Sequence, residues 1–314
     1  MTLAGSMMTL VAALLLASPV AVRAEDKPAA DRLSTILVAG DDWQVASESL
    51  GFSDGSSSDA EGNLYFSDLK SKPPVIYRID CDGKQTQIAE AGMSGTKIGP
   101  DHRLYGCGGG KVCVFDLPGG KQTVLAEGLK TNDLVITHKG FVYITETGKH
   151  QVTFLDPKTG ASHPADIGIK APNGIAVTPD QTHLLVSDYG GLNVWSFAIA
   201  DDGTLNDKKP LMTMKAPENK PTVAGGDGMT MDAAGRAYVT TALGLQIFDA
   251  NGELLGIVRP DNRFPVMDHA QDLVVEFEQP VAVLFHDSGF GRHSLARRPV
   301  SAVGRLKVMR NVGV

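Results

Sequence analysis

The chain has 314 residues, of which 42% are hydrophobic, and it carries a formal net charge of −7 at pH 7. This hydrophobic content is sufficient for a folded core, and the 35 glycines favour a fold rich in turns. The acidic balance argues against nucleic acid as a partner, because phosphate binding needs a basic surface. A bound cation or a small neutral substrate fits this charge better.

The first predicted element is a secretory signal peptide at residues 1–24. Residues 10–22 are almost wholly apolar, a run as long as a signal-peptide core and too short to span a bilayer easily. The small residues around Ala24 predict cleavage after that position. The protein is therefore expected to be periplasmic or secreted, without stable membrane insertion after cleavage. An uncleaved anchor stays the alternative, because residues 1–9 contain no Lys or Arg.

A turn followed by a short apolar strand recurs five times between residues 59 and 241. The five units share an apolar or aromatic position at separations of 40, 38, 42 and 53 residues, occupied by Tyr65, Tyr105, Tyr143, Leu185 and Tyr238. A second strand follows each of them, and the alternation has period two instead of the helical i, i+3, i+4 spacing. Units of about 40 residues with three or four strands are typical of β-propeller blades.

These units predict an all-β fold, a six-bladed β-propeller with a central metal-binding channel, in which residues 25–314 form a single domain. The sixth blade is predicted at residues 271–287, and residues 33–39 are expected to supply its outer strand and close the ring. Residues 288–314 contain six basic and no acidic residues, and the strand–turn rhythm fades there. That tail is interpreted either as a surface arm or as a segment foreign to the fold.

The three cysteines give no metal-binding pattern. Cys107 and Cys113 flank a predicted glycine hairpin, so they either approach each other as a disulfide or remain small buried thiols. Together with Cys81 they form neither a C-x-x-C pair nor a Cys/His cluster with zinc spacing.

A polar residue precedes the strand at a fixed offset in every unit. The offset from the aromatic position is eleven residues, or twelve in the fourth unit, and it selects Asp54, Ser94, Asn132, Asn173 and Asp227. Because the first strand of each propeller blade lines the central channel, these side chains are expected to converge. Carboxylate and amide oxygens suit a hard divalent cation, Ca²⁺ in particular. A turn would explain each dipeptide alone, but the shared offset favours a metal site.

At these residues the chain resembles the SMP-30/gluconolactonase/LRE-like family of regucalcin-like lactonase propellers. The motifs are TNDLVIT, APNGIAVTPDQTHLLVSD and GGDGMTMDAAGRAYVTT, and the resemblance covers residues 35–262. It implies one calcium-type ion bound by Asp54, Asn173 and Asp227, with Asp227 also as the catalytic base. It further implies that the substrate-binding residues are Asn132, Lys130 and Ser94.

Two positions depart from the family pattern. Asp54 begins Asp-Gly-Ser where the family has Glu-Gly-Pro, and Lys130 stands where some members carry an Arg, so a point charge replaces a planar fork. The implied function is metal-dependent hydrolysis of a small-molecule lactone or ester. The alternative is a secreted propeller that binds a partner, holds a structural calcium ion and has no hydrolase activity.

Overall fold

The computed structural model describes residues 32–34, 36–37, 44–259, 274–276, 293–301 and 305–306. The signal peptide predicted at residues 1–24 lies outside these ranges. Among the described residues, no helix is both long and apolar enough to cross a membrane. The first strand, β1 (Gln44–Leu50), belongs to a small mixed sheet, and the strands that follow it form the blades.

Five sheets follow one another along residues 53–258, each with four antiparallel strands in sequence order. Blade 1 contains β2 (Ser53–Ser58), β3 (Leu64–Asp68), β4 (Val75–Ile79) and β5 (Gln85–Ala89). Blade 2 contains β6 (Gly95–Ile98), β7 (Leu104–Gly108), β8 (Lys111–Asp116) and β9 (Lys121–Glu127). Blade 3 contains β10 (Leu134–Ile136), β11 (Val142–Glu146), β12 (Gln151–Leu155) and β13 (Ser162–Ile167), with a 3-10 turn at Thr147–Lys149. Blade 4 contains β14 (Pro172–Val177), β15 (His183–Asp188), β16 (Asn193–Ile199) and β17 (Leu205–Thr213). Blade 5 contains β18 (Met229–Met231), β19 (Ala237–Thr241), β20 (Gly244–Phe248) and β21 (Leu254–Val258).

The first strands of successive blades lie side by side, so that β2 contacts β6, β6 contacts β10, β10 contacts β14, and β14 contacts β18. These are the inner strands of a propeller, and the core lies between neighbouring blades. Between blades 2 and 3, for example, the buried side chains include Val112, Leu134 and Val142. The predicted propeller fold and its five repeated units are therefore confirmed.

The repeated aromatic position is explained by the hairpin turns. The hydroxyl of Tyr65 donates to Asp59 at 2.9 Å, and that of Tyr238 donates to Asp232 at 3.0 Å. Each Asp also accepts backbone N–H groups of its own turn, so one side chain closes the hairpin between the first and second strands. The ring and the turn are thus fixed by the same contact.

The prediction of six blades is wrong, because the residues that the structure describes form five. Within residues 271–287 the described strand is β22 (Val274–Glu276), which pairs in parallel with β23 (His293–Ser301). β23 in turn pairs with β1 and with β24 (Arg305–Leu306). A mixed sheet with a parallel pair is not the antiparallel meander of a blade. Leu33 also lies in a helical turn and not in the expected outer strand.

All three described cysteines are free thiols. Across the β7–β8 hairpin, Cys107 lies opposite Val112, and Cys113 lies opposite Gly106. This one-residue offset sends the two side chains to opposite faces of the sheet. Cys107 packs between blades 2 and 3 and Cys113 between blades 1 and 2, so the hairpin does not bring them together as a disulfide.

Candidate metal and substrate site

Asp227 lies just before β18, between blades 4 and 5. Its N–H donates to Thr240 O at 2.9 Å, and its carbonyl accepts from Gly174 N at 3.2 Å and Ser187 Oγ at 2.7 Å. The residue is only 7% exposed, and among the described residues its Oδ2 atom has no hydrogen-bond partner. The backbone is therefore fixed from both sides, while one buried carboxylate oxygen is left without compensation.

The electrostatic surroundings of Asp227 are unfavourable to its charge. Burial raises the pKa of this carboxyl well above its ordinary value, and the negative charges of Asp54 and Asp133 raise it further. Hydrogen bonds from Gly228 and from the Asn173 side chain act in the opposite direction. A divalent cation would reverse this balance, because it favours the ionised carboxylate.

Asn173 begins the inner strand of blade 4 and is buried. Its carbonyl accepts a hydrogen bond from Thr145 Oγ1 of blade 3 at 2.6 Å. The residue after it is Gly174, where an added Cβ would overlap the Asp227 carbonyl and the Met229 nitrogen. The Asn-Gly dipeptide therefore lies within a strand and allows blades 4 and 5 to approach closely.

Asp54 lies in β2, where it is half-buried. Its Oδ1 atom accepts the Gly55 N–H at 2.8 Å. Gly55 has φ +60°, and an added Cβ would lie against the Met93 carbonyl of the next blade. The structure thus places both Asp54 and Asn173 near enough to Asp227 to act on its carboxyl, and the role of the three residues as cation ligands stays a prediction.

Asp133 was missed by the sequence reasoning. Its side-chain oxygens accept Leu134 N at 2.7 Å and Ile175 N at 3.3 Å. Burial raises the pKa of its carboxyl, and its charge acts on Asp227. The signal was present in the sequence, because the other four units have Gly at this position.

Tyr189, which follows β15, is a second residue that the sequence reasoning missed. Burial and the charge of Asp227 raise the pKa of its hydroxyl. Its backbone N–H donates to Ala171 O at 2.9 Å, which fixes the loop beside the site. The sequence gives no repeat-based signal for this residue.

The predicted substrate-binding residues take different positions. Asn132 is half-buried, and its carbonyl accepts from Ser94 Oγ at 2.6 Å. The Ser94 hydroxyl therefore supports Asn132, and a direct contact with substrate stays a prediction. Lys130 is exposed, and its N–H donates to the buried carboxylate of Glu146 at 2.6 Å. Among the described residues, its side chain forms no salt bridge with Asp54, Asp133 or Asp227.

A ladder of side-chain hydrogen bonds joins blades 2, 3 and 4 to the polar residue of the following blade. The donor lies two residues after the repeated aromatic position. The bonds run from Cys107 Sγ to Asn132 O at 3.4 Å, from Thr145 Oγ1 to Asn173 O at 2.6 Å, and from Ser187 Oγ to Asp227 O at 2.7 Å. The preceding blade therefore holds the backbone carbonyl of Asn132, Asn173 and Asp227.

The donor set fits a hard cation only with help from the amide. Among the described residues, no three His, Cys, Asp or Glu side chains are close enough together to hold a metal ion by themselves. The lone Oδ2 atom of Asp227, the carboxylate of Asp54 and the amide oxygen of Asn173 give the mixed oxygen set that calcium accepts alongside water. The residues therefore fit the group.

The fold and the site define a β-propeller protein in which three acidic residues, Asp54, Asp133 and Asp227, lie near the start of the inner strands. The chain belongs to the SMP-30/Gluconolactonase/LRE-like family, whose model matches residues 52–266. The predicted family is thereby confirmed.

One curated relative is a gluconolactonase of Zymomonas mobilis subsp. mobilis, 27% identical over 198 residues, which are 55% of this chain and 55% of the relative. The chain thus matches about half the length of that relative. Similar solved structures include a gluconolactonase of Xanthomonas campestris, with 22% identity, 85% of this chain and 92% of that chain covered, and a TM-score of 0.67. A calcium-binding regucalcin of Agrobacterium tumefaciens strain C58 has 16% identity, 70% and 78% coverage, and a TM-score of 0.58. At these identities the likeness to the two structures concerns the fold.

Proposed function

We propose that the protein is a lactonase, a hydrolase of small cyclic esters that depends on one divalent cation, calcium in particular. The observation that carries this proposal is Asp227, a buried carboxylate with a partnerless Oδ2 atom next to Asn173 and in the field of Asp54. Membership of the family supports the proposal, as does the curated gluconolactonase relative. Calcium is supported by the regucalcin-like fold and by the oxygen-only ligands.

Asp54, Asn173 and Asp227 would hold the cation. When bound, it polarises the ester carbonyl and stabilises the negative charge that develops on the carbonyl oxygen during attack. Removal of one carboxylate should therefore weaken both ion binding and catalysis.

The chain's own residues would orient the reaction. Asp227 holds a water molecule against the carbonyl carbon and accepts the proton that the water loses on attack. The ring C–O bond then breaks, and the proton passes to the departing oxygen, which gives a hydroxy acid. The Asn132 amide donates to a substrate oxygen, and the exposed Lys130 ammonium attracts a hydroxylated or anionic substrate to the rim.

Hydrolysis of a panel of lactones and simple esters, measured with calcium and with chelator, tests the proposal. We expect turnover of at least one lactone, loss of that turnover on chelation, and its return when calcium is restored. A protein that binds calcium but hydrolyses no lactone or ester would instead favour the binding propeller with a structural ion. Two departures from the family pattern support this alternative. Asp54 stands in place of the usual Glu, and Lys130 stands where some members carry an Arg.

The place of action proposed here is the periplasm or the cell exterior. The apolar run at residues 10–22 and the small residues before Glu25 support it. N-terminal sequencing of the protein purified from its host should find Glu25 as the first residue. A mature chain that still begins at Met1 would refute the predicted cleavage.

A further inference from the structure

Three buried carboxylates occupy the same register in blades 1, 3 and 4. Each lies at the end of the second strand, three residues after the repeated aromatic or apolar position. They are Asp68, Glu146 and Asp188, which are 4%, 0% and 5% exposed. Buried carboxylates are costly unless several hydrogen bonds compensate them, so their recurrence needs a reason.

Each of these carboxylates accepts the backbone N–H of the residue two positions before a candidate site residue. Phe52 N donates to Asp68 Oδ1 at 2.9 Å, two residues before Asp54. Lys130 N donates to Glu146 Oε1 at 2.6 Å, two residues before Asn132.

In blade 4 the same bond runs from Ala171 N to Asp188 Oδ1 at 2.9 Å, two residues before Asn173. The same hydrogen bond therefore fixes the backbone just before a candidate site residue in blades 1, 3 and 4.

In blades 2 and 5 the backbone that leads into the site is held without a carboxylate. Gly108 and Thr241 occupy the register position there, so no carboxylate lies at this place. The backbone bonds that remain run from Ser94 N to Cys107 O at 2.8 Å and from Ala242 N to Ala224 O at 3.0 Å, and they have counterparts in blades 3 and 4. Blade closure as such therefore does not require a buried charge.

We propose that Asp68, Glu146 and Asp188 are positioning residues that set the place of Asp54, Asn132 and Asn173. The inference rests on the proposed function, in which Asp54 and Asn173 hold the cation. Hydrogen bonds to a carboxylate are shorter and stronger than those to neutral acceptors, so they restrain the entering backbone more tightly. Loss of such a supporting group typically lowers metal affinity or activity by about 10- to 100-fold.

Calorimetric titration of the full chain with calcium tests the proposal in blade 4. We expect Asp188→Ala to bind calcium about 10- to 100-fold more weakly than wild type, and Asp188→Asn, which keeps Oδ1, to recover most of the affinity. Asp59→Ala is the matched control, because Asp59 is a buried carboxylate with several donors at the opposite end of blade 1. It should lower the melting temperature and leave calcium affinity unchanged.

Hydrogen–deuterium exchange on the ion-free protein gives a readout that does not depend on the ion. The backbone amides of Ala171 and Asn173 should exchange faster in Asp188→Ala than in wild type, and Pro172 between them has no amide hydrogen. If that variant does not fold, Glu146→Ala takes its place, with faster exchange expected at residues 130–132 because it removes the acceptor of the Lys130 backbone N–H.

The outcomes separate the two proposals. A wild-type chain that binds no calcium overturns the proposed cation site and, with it, this inference. A wild type that binds calcium while Asp188→Ala binds equally tightly overturns the positioning role alone, even when the melting temperature falls. Unchanged exchange at the site segment also overturns it.

Discussion

Replacing Asp227 with Asn should stabilise the ion-free protein while weakening calcium binding and catalysis. Asn keeps the size of the side chain and removes a negative charge that burial, Asp54 and Asp133 all oppose. The same charge is the one that a cation would require. A substitution that raises stability but lowers binding and catalysis indicates a side chain placed to bind a ligand and not to stabilise the fold.

The expected magnitudes follow from the Oδ2 atom of Asp227, which is buried without a partner among the described residues. Such an atom costs about 1–3 kcal/mol, and Asn relieves only the part due to charge, so we expect a gain of about 1 kcal/mol in the free energy of unfolding. In a protein of this size that gain raises the melting temperature by about 2 °C. Loss of one member of a buried charge pair costs about 2 kcal/mol or more, which weakens calcium binding about 30-fold. Turnover should fall by about 10²–10⁴-fold.

Thermal unfolding in chelator, calorimetric titration with calcium, and lactone hydrolysis measure the three effects. Asp232→Asn is the matched control in the same blade, since Asp232 is equally buried but accepts from Ala234 N, Arg236 N and the Tyr238 hydroxyl. It should destabilise the protein and leave calcium affinity unchanged. An Asp227→Asn protein that is less stable than wild type without calcium, or that binds calcium equally well, would refute this reasoning.

Three further predictions concern neighbouring residues. Asp54→Ala should bind calcium more weakly than wild type in calorimetry. Asp54→Glu should bind at least as well as wild type, because it restores the family's longer side chain. Equal affinities for all three proteins would show that Asp54 is not a cation ligand. Lys130→Ala should raise KM with little change in kcat, because an exposed ammonium contributes equally to ground-state and transition-state binding; a lower kcat at constant KM would contradict this. Burial opposes ionisation of Glu146, but donors from Lys130, Lys149, Thr153 and Gln151 prevail and lower its pKa from 4.5. Its stabilising effect is therefore complete above pH 4.5 and is lost as the pH falls through the folded-state pKa, so the stability gap between wild type and Glu146→Gln in thermal unfolding should close in acid.

The repeat made most of the fold predictable, and its failure at one point is instructive. A shared apolar or aromatic position and a shared turn located all five blades, and in blades 1, 2 and 5 the tyrosine hydroxyl at this position donates to an Asp of its own hairpin turn. The segment at residues 271–287 has the apolar alternation of a strand but contains no tyrosine. Alternation alone does not decide which strand is the partner, and Val274–Glu276 pairs in parallel instead of extending a meander.

The sequence predicted candidate positions for the site and not their electrostatics. The constant offset selected Asp54, Asn173 and Asp227, because equal offsets from in-register strands end near the start of the inner strands, and their role as cation ligands stays a prediction. The sequence could not show that Asp133 shares their field, since that depends on burial by neighbouring blades. It also could not show that the Ser94 hydroxyl is turned toward the Asn132 carbonyl, because a rotamer is decided by the nearest acceptor in space.

The ladder of hydrogen bonds between blades has a consequence for how such proteins recombine. An exchange of blade 4 as a block, residues 172–213, would import Asn173 but leave behind Thr145, the residue that supports it. The same block would carry Ser187 away from Asp227. The segment that should be exchanged as one piece therefore runs from the second strand of one blade to the first strand of the next. Crossovers placed in the turns between first and second strands, such as residues 137–141, would keep each support together with the residue it serves, and chimaeras built that way should retain the site.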